Sequence, residues 1–319
     1  MAQATAQPLN LRTDALEAGF ARKPRSLWSN AWRQFQHHRL AMAGMFVIFG
    51  LILGTVLGPV IYTKRIDGID FGAAALSPSL EHPFGTNDLG QDLLARALWG
   101  GRISISVGIT SVFVSIILGT TIGAIAGYFG GTLDSSLMRI TDLFLSLPQL
   151  PFLLMVIYLF RDSVRQILTR MGQGPELGVF VLIVSVIALT TWMPVARLVR
   201  ASFLSLKQKE FVEAAHAVGV RAPGIILRHI LPNVLSPVIV AATIGVGGAI
   251  ITESALSFLG LGFPPDTPSW GRLLLDALNF LEVAPHMALF PGLLIFLAVV
   301  SINYVGDGMR DALDPRKTR

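Results

Sequence analysis

No cysteine occurs in the 319 residues. A disulfide framework, a thiolate-held metal and a cysteine nucleophile are therefore excluded together, although this absence does not fix the compartment. Charge is scarce too: 14% of residues are charged against 52% hydrophobic, and the mean hydropathy is +0.62. Soluble domains carry about a quarter charged residues, so this chain has too little charge to cover a water-facing surface. No G-x-x-x-x-G-K-[ST] phosphate loop is present, which excludes ATP binding by that device. H-E-x-x-H and G-x-S-x-G are missing as well, and the six histidines are scattered rather than spaced as ligands. The formal charge of +5 invites a nucleic-acid reading, but no motif of a nucleic-acid reader accompanies it.

What the chain does have is hydrophobic length. Crossing about 30 Å of hydrocarbon takes about 20 largely apolar residues. Six runs meet or approach this: Leu40–Ile61, Ile103–Leu133, Leu143–Phe160, Leu177–Ala196, Ile230–Thr252 and Val283–Val305. None contains Asp, Glu, Lys or Arg. The second is longer than one crossing needs, and Pro148 and Pro151 interrupt the first turns of the third. The expected fold is all-α, a polytopic membrane protein with six transmembrane helices. An even number of spans puts both termini on one side. The segments on that side carry 17 of the 25 Lys and Arg residues, which places both termini in the cytoplasm by the positive-inside rule. Arg161, Arg165 and Arg170 run against that trend.

The expected organisation is a cytoplasmic tail over 1–39, a first anchor over 40–62 and an outer segment over 63–102. A core of five spans over 103–306 contains a cytoplasmic loop at 197–231, and a C-terminal tail occupies 307–319. The first 39 residues are too polar for a cleaved signal peptide, so the first span is expected to be an uncleaved anchor. Before it, Trp28, Trp32 and Phe35 recur at helical spacing among Arg25, Arg33, His37, His38 and Arg39. That pattern suits a helix lying in the membrane interface. Small residues recur every fourth position at Gly50, Gly54 and Gly58, at Gly119, Gly123, Gly127 and Gly131, and at Ala241, Gly245 and Ala249. In lipid such stripes mark close helix contacts. Pro59, Pro194, Pro237 and Pro291 are expected to bend their spans.

Ion-coupled carriers keep ionisable groups deep in their spans. Here Asp142 and Glu253 stand at run ends, and His286 reads as an interfacial histidine rather than a relay. In the outer segment, Asp88 with Gln91 resembles a capping box. Leu89, Leu93, Leu94 and Ala97 then face the membrane or a neighbouring helix. His82, Asp88 and Asp92 form the one candidate metal set, against which caps are the simpler reading.

The loop between the fourth and fifth spans differs from the rest. Phe211, Val212, Ala215 and Val218 fall on one face of a short helix. Gly219 suits the left-handed residue that ends it, and Pro223 suits the first turn of a second helix running toward Leu231 and Pro232. By spacing alone this is equally a helix lying on the membrane surface.

The same segment resembles the EAA signature of ABC-importer permeases: Glu213-Ala214-Ala215, then Gly219, then Leu231-Pro232, with His229 at a position that is usually apolar. His82–Gly108, Ser254–Gly271 and Gly306–Arg316 resemble other stretches of the dipeptide, oligopeptide and nickel branch, in its second, or C-type, permease. The likeness spans about residues 28 to 316. It implies half of a translocation pore in a bacterial inner membrane, for peptides or, alternatively, nickel or another solute. The implied partners are a second permease subunit, two ATPase subunits, a periplasmic or extracellular solute-binding protein and the lipid bilayer. Neither nucleic acid nor a cofactor is implied, and the subunit itself is not an enzyme. Phe211, Val212, Glu213, Ala214, Ala215, Val218, Gly219, Leu231 and Pro232 are the ATPase-coupling residues by this resemblance. A secondary transporter, a channel and a membrane-anchored scaffold are the other readings of the chain.

Overall fold

The computed structural model describes residues 27–313. Arg25, the polar segment before it and Arg316 lie outside the described residues. The described chain is helical, with no strand among its elements.

Helix α1 (Leu27–His37) leads into α2 (Arg39–Ile61), where the His38 side chain caps by accepting from Ala41 N at 3.1 Å. Helix α3 runs from Leu93 to Phe129, 37 residues, or about 55 Å at 1.5 Å per residue. It starts ten residues before its apolar run. Its cap is Asp92, which accepts from Ala95 N at 2.9 Å, and not Asp88. The start is delayed because Asn87 Oδ1 accepts from Leu89 N and Gln91 N, and Gly90 turns the chain at φ +72°. Leu89 thus stays outside the helix, while Leu93 and Ala97 are buried.

Gly130 and Gly131, both at positive φ, end α3, so Leu133 belongs to α4 (Gly131–Ser146) rather than to the second span. Helix α5 covers Gln149–Arg170, and the α4–α5 pair is bent by 89°. The third crossing is therefore broken. Pro148 has no N–H to continue a helix, and it forces Leu147 into extended backbone. Pro151 falls in the first turn of α5, where a missing donor is harmless. Beyond Phe160 the helix continues, and Arg161 Nη2 donates to Gly262 O at 3.1 Å.

Helix α6 (Pro175–Leu206) runs ten residues past its apolar run and carries Arg197 and Arg200 on its end. The loop expected from 197 accordingly begins at Lys207. Helices α3 and α6 form the tightest pair. A Cβ on Gly119 would lie 2.6 Å from Trp192 O, and one on Gly127 2.6 Å from the Phe203 Cβ. The other stripes are looser than expected. Gly58 meets Leu98 closely, but nothing lies within 4 Å of a Cβ at Gly50. Gly131 serves a turn instead.

Helices α7 (Glu210–Ala217), α8 (Leu231–Phe258), α9 (Trp270–Ala277) and α10 (His286–Leu313) complete the chain. Glu253 ends its apolar run, but α8 continues to Phe258. It lies inside α8, fully buried, and its two oxygens accept from Ser104 Oγ at 2.8 Å and Ser257 Oγ at 2.7 Å. Trp270 N in turn donates to Ser104 Oγ at 3.2 Å, which fastens α9 to α3 and α8. His286 is buried at the start of α10, with Nε2 3.3 Å from Thr86 O.

At the opposite end, α1 packs on the last turns of α10. Phe35, 3% exposed, sits in one cluster with Ala41 and Ala312, and Trp32 stacks on Phe35 at 5.7 Å while remaining half exposed. One ring of the expected lipid-facing set therefore faces protein. Helix α6 also ends here, so both described ends of the chain share the end of the bundle that carries α7. Five helices are long and apolar enough to cross a membrane, and six crossings result when the bent pair counts as one.

Candidate coupling site

The site grows from the end of α6. Lys207 Nζ donates to Tyr128 O at 2.6 Å, pinning the chain to the last turn of α3. Asp134 takes Arg200 in a two-point pair, Oδ1 to Nε at 2.5 Å and Oδ2 to Nη2 at 2.7 Å. Asp142 pairs with Arg197. These contacts hold α4 against the α6 extension. No sequence signal singled them out, because the partners are far apart in the chain and each reads as an ordinary interfacial charge.

Helix α7 follows, with Glu210 and Glu213 in its first turn, where acidic groups favour the positive end of the helix dipole. Gly219, at φ +79°, ends it. Gly219 N donates to His216 O and Val220 N to Ala215 O, both at 3.0 Å, the paired bonds of a Schellman cap. A Cβ on Gly219 would meet nothing within 4 Å. The demand for glycine is thus conformational rather than steric.

A turn at Ala222–Gly224 and a π-helical segment at Ile225–Ile230 return the chain to α8 without a break. Val212 and Ala215 bury themselves against Ile225, Ile230 and Phe203. Phe211 and Val218 point away, 42% and 79% exposed. Glu213, Ala214 and Gly219 are exposed too, Leu231 is half-buried and Pro232 exposed.

The nine expected residues are thus in one loop but divide by role. Val212 and Ala215 are buried in the cluster that seats the loop on its own bundle, and so offer no outward contact area. A single apolar face over four residues cannot separate inward from outward members. Ile225 and Ile230, which complete the seat, carried only a generic apolar signal.

The candidate metal set does not assemble. His82 Nδ1 lies 2.8 Å from Asp92 Oδ2, and Tyr62 OH donates to the same oxygen at 2.7 Å, but Asp88 stays outside this group. Burial and the Asp92 carboxylate push the Tyr62 phenol above its ordinary range.

A broken third crossing, a paired α3–α6 core and a projecting loop between α6 and α8 describe a multi-pass permease subunit. Residues 119–319 match the family described as the binding-protein-dependent transport system inner membrane component, and the chain belongs to it. Residues 26–83 match the N-terminal TM domain of oligopeptide transport permease C. The oligopeptide transport system permease protein OppC of Haemophilus influenzae is 40% identical, covering 92% of this chain and 89% of its own. The dipeptide permease DppC of Alkalihalophilus pseudofirmus is 37% identical over 91% of this chain and 90% of its own. The glutathione permease GsiD of Escherichia coli O6:K15:H31 is 37% identical over 92% and 91%. Among solved structures, the inward-facing MetNI methionine ABC transporter shares the fold, with a TM-score of 0.52 at 18% identity over 67% of this chain and 94% of that one.

Proposed function

We propose that this permease forms half of the translocation pore of an ATP-driven peptide importer in a bacterial inner membrane, with both termini and the α7 loop in the cytoplasm. The relatives named above move oligopeptides, dipeptides and glutathione by their names, which supports the peptide class. In this reading a second permease completes the pore, a binding protein delivers the solute, and two separate ATPase subunits drive the cycle.

The observation that carries the proposal is the seating of the α7 loop. Glu213, Ala214, Phe211 and Val218 project outward, while Val212, Ala215, Ile225 and Ile230 fix the loop on Phe203 of α6. A push on the projecting side is therefore handed to α6 and α8 as a rigid unit, and through the α3–α6 contact to the rest of the bundle. Closure of the ATPases becomes helix movement, a mechanical switch.

The test is Gly219→Val in the reconstituted complex. A β-branched residue at positive φ costs about 1–3 kcal/mol locally, enough to displace a loop without unfolding a bundle. The expected outcome is an assembled complex in which substrate no longer stimulates ATP hydrolysis. Full stimulation in that variant would remove the role given to this turn.

A further inference from the structure

Helix α4 is a rod between two joints. At its start Gly130 and Gly131 both have positive φ, and a Cβ on either would meet nothing within 4 Å. At its end, extended backbone at Leu147 and Pro148 breaks it from α5. Between the joints Thr141 is the one buried residue of the helix, and its hydroxyl is spent on Leu137 O of the same helix at 2.8 Å. A segment that buries so little of itself swings at low cost, so its direction is set by whatever grips it.

Three side chains of α4 reach α6. Asp134 takes Arg200 at two points, 2.5 and 2.7 Å, Asp142 pairs with Arg197, and Phe144 packs on Trp192, Met193 and Ala196. The two ion pairs are unequal. Asp142 and Arg197 are both more than half exposed, where a pair adds little. The Asp134 side chain is 14% exposed, and a two-point guanidinium pair fixes direction as well as distance.

Arg200 is held from behind as well. A Cβ on Gly127 of α3 would lie 2.9 Å from Arg200 O, so the two backbones are in contact there. Further along α6, Lys207 Nζ donates to Tyr128 O and stands 5.5 Å from the centre of its ring. The grip on α4 therefore comes from the same turns of α6 that carry Phe203, the seat of Val212 and Ala215 in the α7 loop.

We propose that Asp134 and Arg200 are positioning residues for transport: they make α4, and with it the bend of the third crossing, follow the tip of α6 when the α7 loop is pushed. This rests on the reading of the subunit as half of an ATP-driven importer, and it adds that the third crossing is driven through α4 and not by the α3–α6 contact alone.

The test uses the whole importer with its binding protein in vesicles, reading ATP hydrolysis and uptake of tritiated tri-alanine on one preparation. Asp134→Asn keeps the side-chain shape and removes the charge. Hydrolysis is expected to stay within about twofold of wild type while uptake falls at least about fivefold, so that fewer peptides cross per ATP. If that variant does not assemble, Arg200→Lys, which keeps the charge and loses the two-point geometry, gives the same readout. The absence of cysteine adds a rescue, in a complex whose other subunits also lack it. Asp134→Cys/Arg200→Cys should be uncoupled as prepared and should regain uptake once a short bifunctional thiol reagent ties the two positions, because α4 and α6 travel together. An unchanged ratio of uptake to hydrolysis in Asp134→Asn, or a tie that fails to restore uptake, overturns the role. Wild-type vesicles in which loaded binding protein stimulates neither hydrolysis nor uptake remove the importer reading itself; wild-type uptake with an unchanged ratio in the variant removes only the positioning role.

Discussion

Glu253 shows how one residue escapes a hydropathy reading. A run defined by absence of charge must stop at the first carboxylate, so Glu253 was expected at a boundary. The structure buries it completely between α3, α8 and the start of α9, with Ser104 and Ser257 donating to it. Ionisable groups inside a membrane bundle are tolerated when paired or hydrogen-bonded there. Removing the acceptor leaves buried serine hydroxyls unsatisfied, at about 1–3 kcal/mol for each group, so Glu253→Ala should lower the thermal unfolding midpoint of the detergent-solubilised complex markedly. Glu253→Gln, which keeps an acceptor for one serine, should retain more of it. Equal loss in both variants would show that both carboxylate acceptors are needed, and that neither side-chain shape nor a single serine bond is enough to hold α9. Gly219 is the contrasting case. Its position at the end of a short amphipathic helix was legible, because only a left-handed residue satisfies that turn, and its φ of +79° agrees.

At the level of elements, six crossings were legible because each apolar run is long enough for a bilayer. Their ends were not. Helix α3 begins at Leu93, capped by Asp92, and α6 runs to Leu206, since helices continue through charged residues when an ion pair or a snorkelling side chain satisfies them. Asp134–Arg200 and Lys207–Tyr128 do so here. The broken third crossing was half legible. Pro148 marked an interruption, but neither the 89° bend nor the pairs of α4 with Arg197 and Arg200 had a signal in the sequence. Pro148→Ala restores a backbone donor and releases Leu147, so the two helices should straighten. Spin labels placed on α4 and α5 should then move apart in distance measurements; an unchanged separation would mean that the ion pairs alone set the angle.

For the molecule as a whole, the coupling loop was found by spacing and assigned by resemblance, but its inward and outward residues separated only once Ile225 and Ile230 were seen beneath it. The expected docking face is accordingly smaller, reduced to Phe211, Glu213, Ala214 and Val218 around the Gly219 turn. A chain without cysteine allows this to be tested cleanly. Single cysteines at Val218, 79% exposed, and Val212, fully buried, can be crosslinked in membranes that also contain the ATPase subunits. The account predicts that Val218→Cys is captured by an ATPase subunit, in a manner altered by nucleotide, and that Val212→Cys is not. Capture at Val212, or none at Val218 in an active complex, would contradict it.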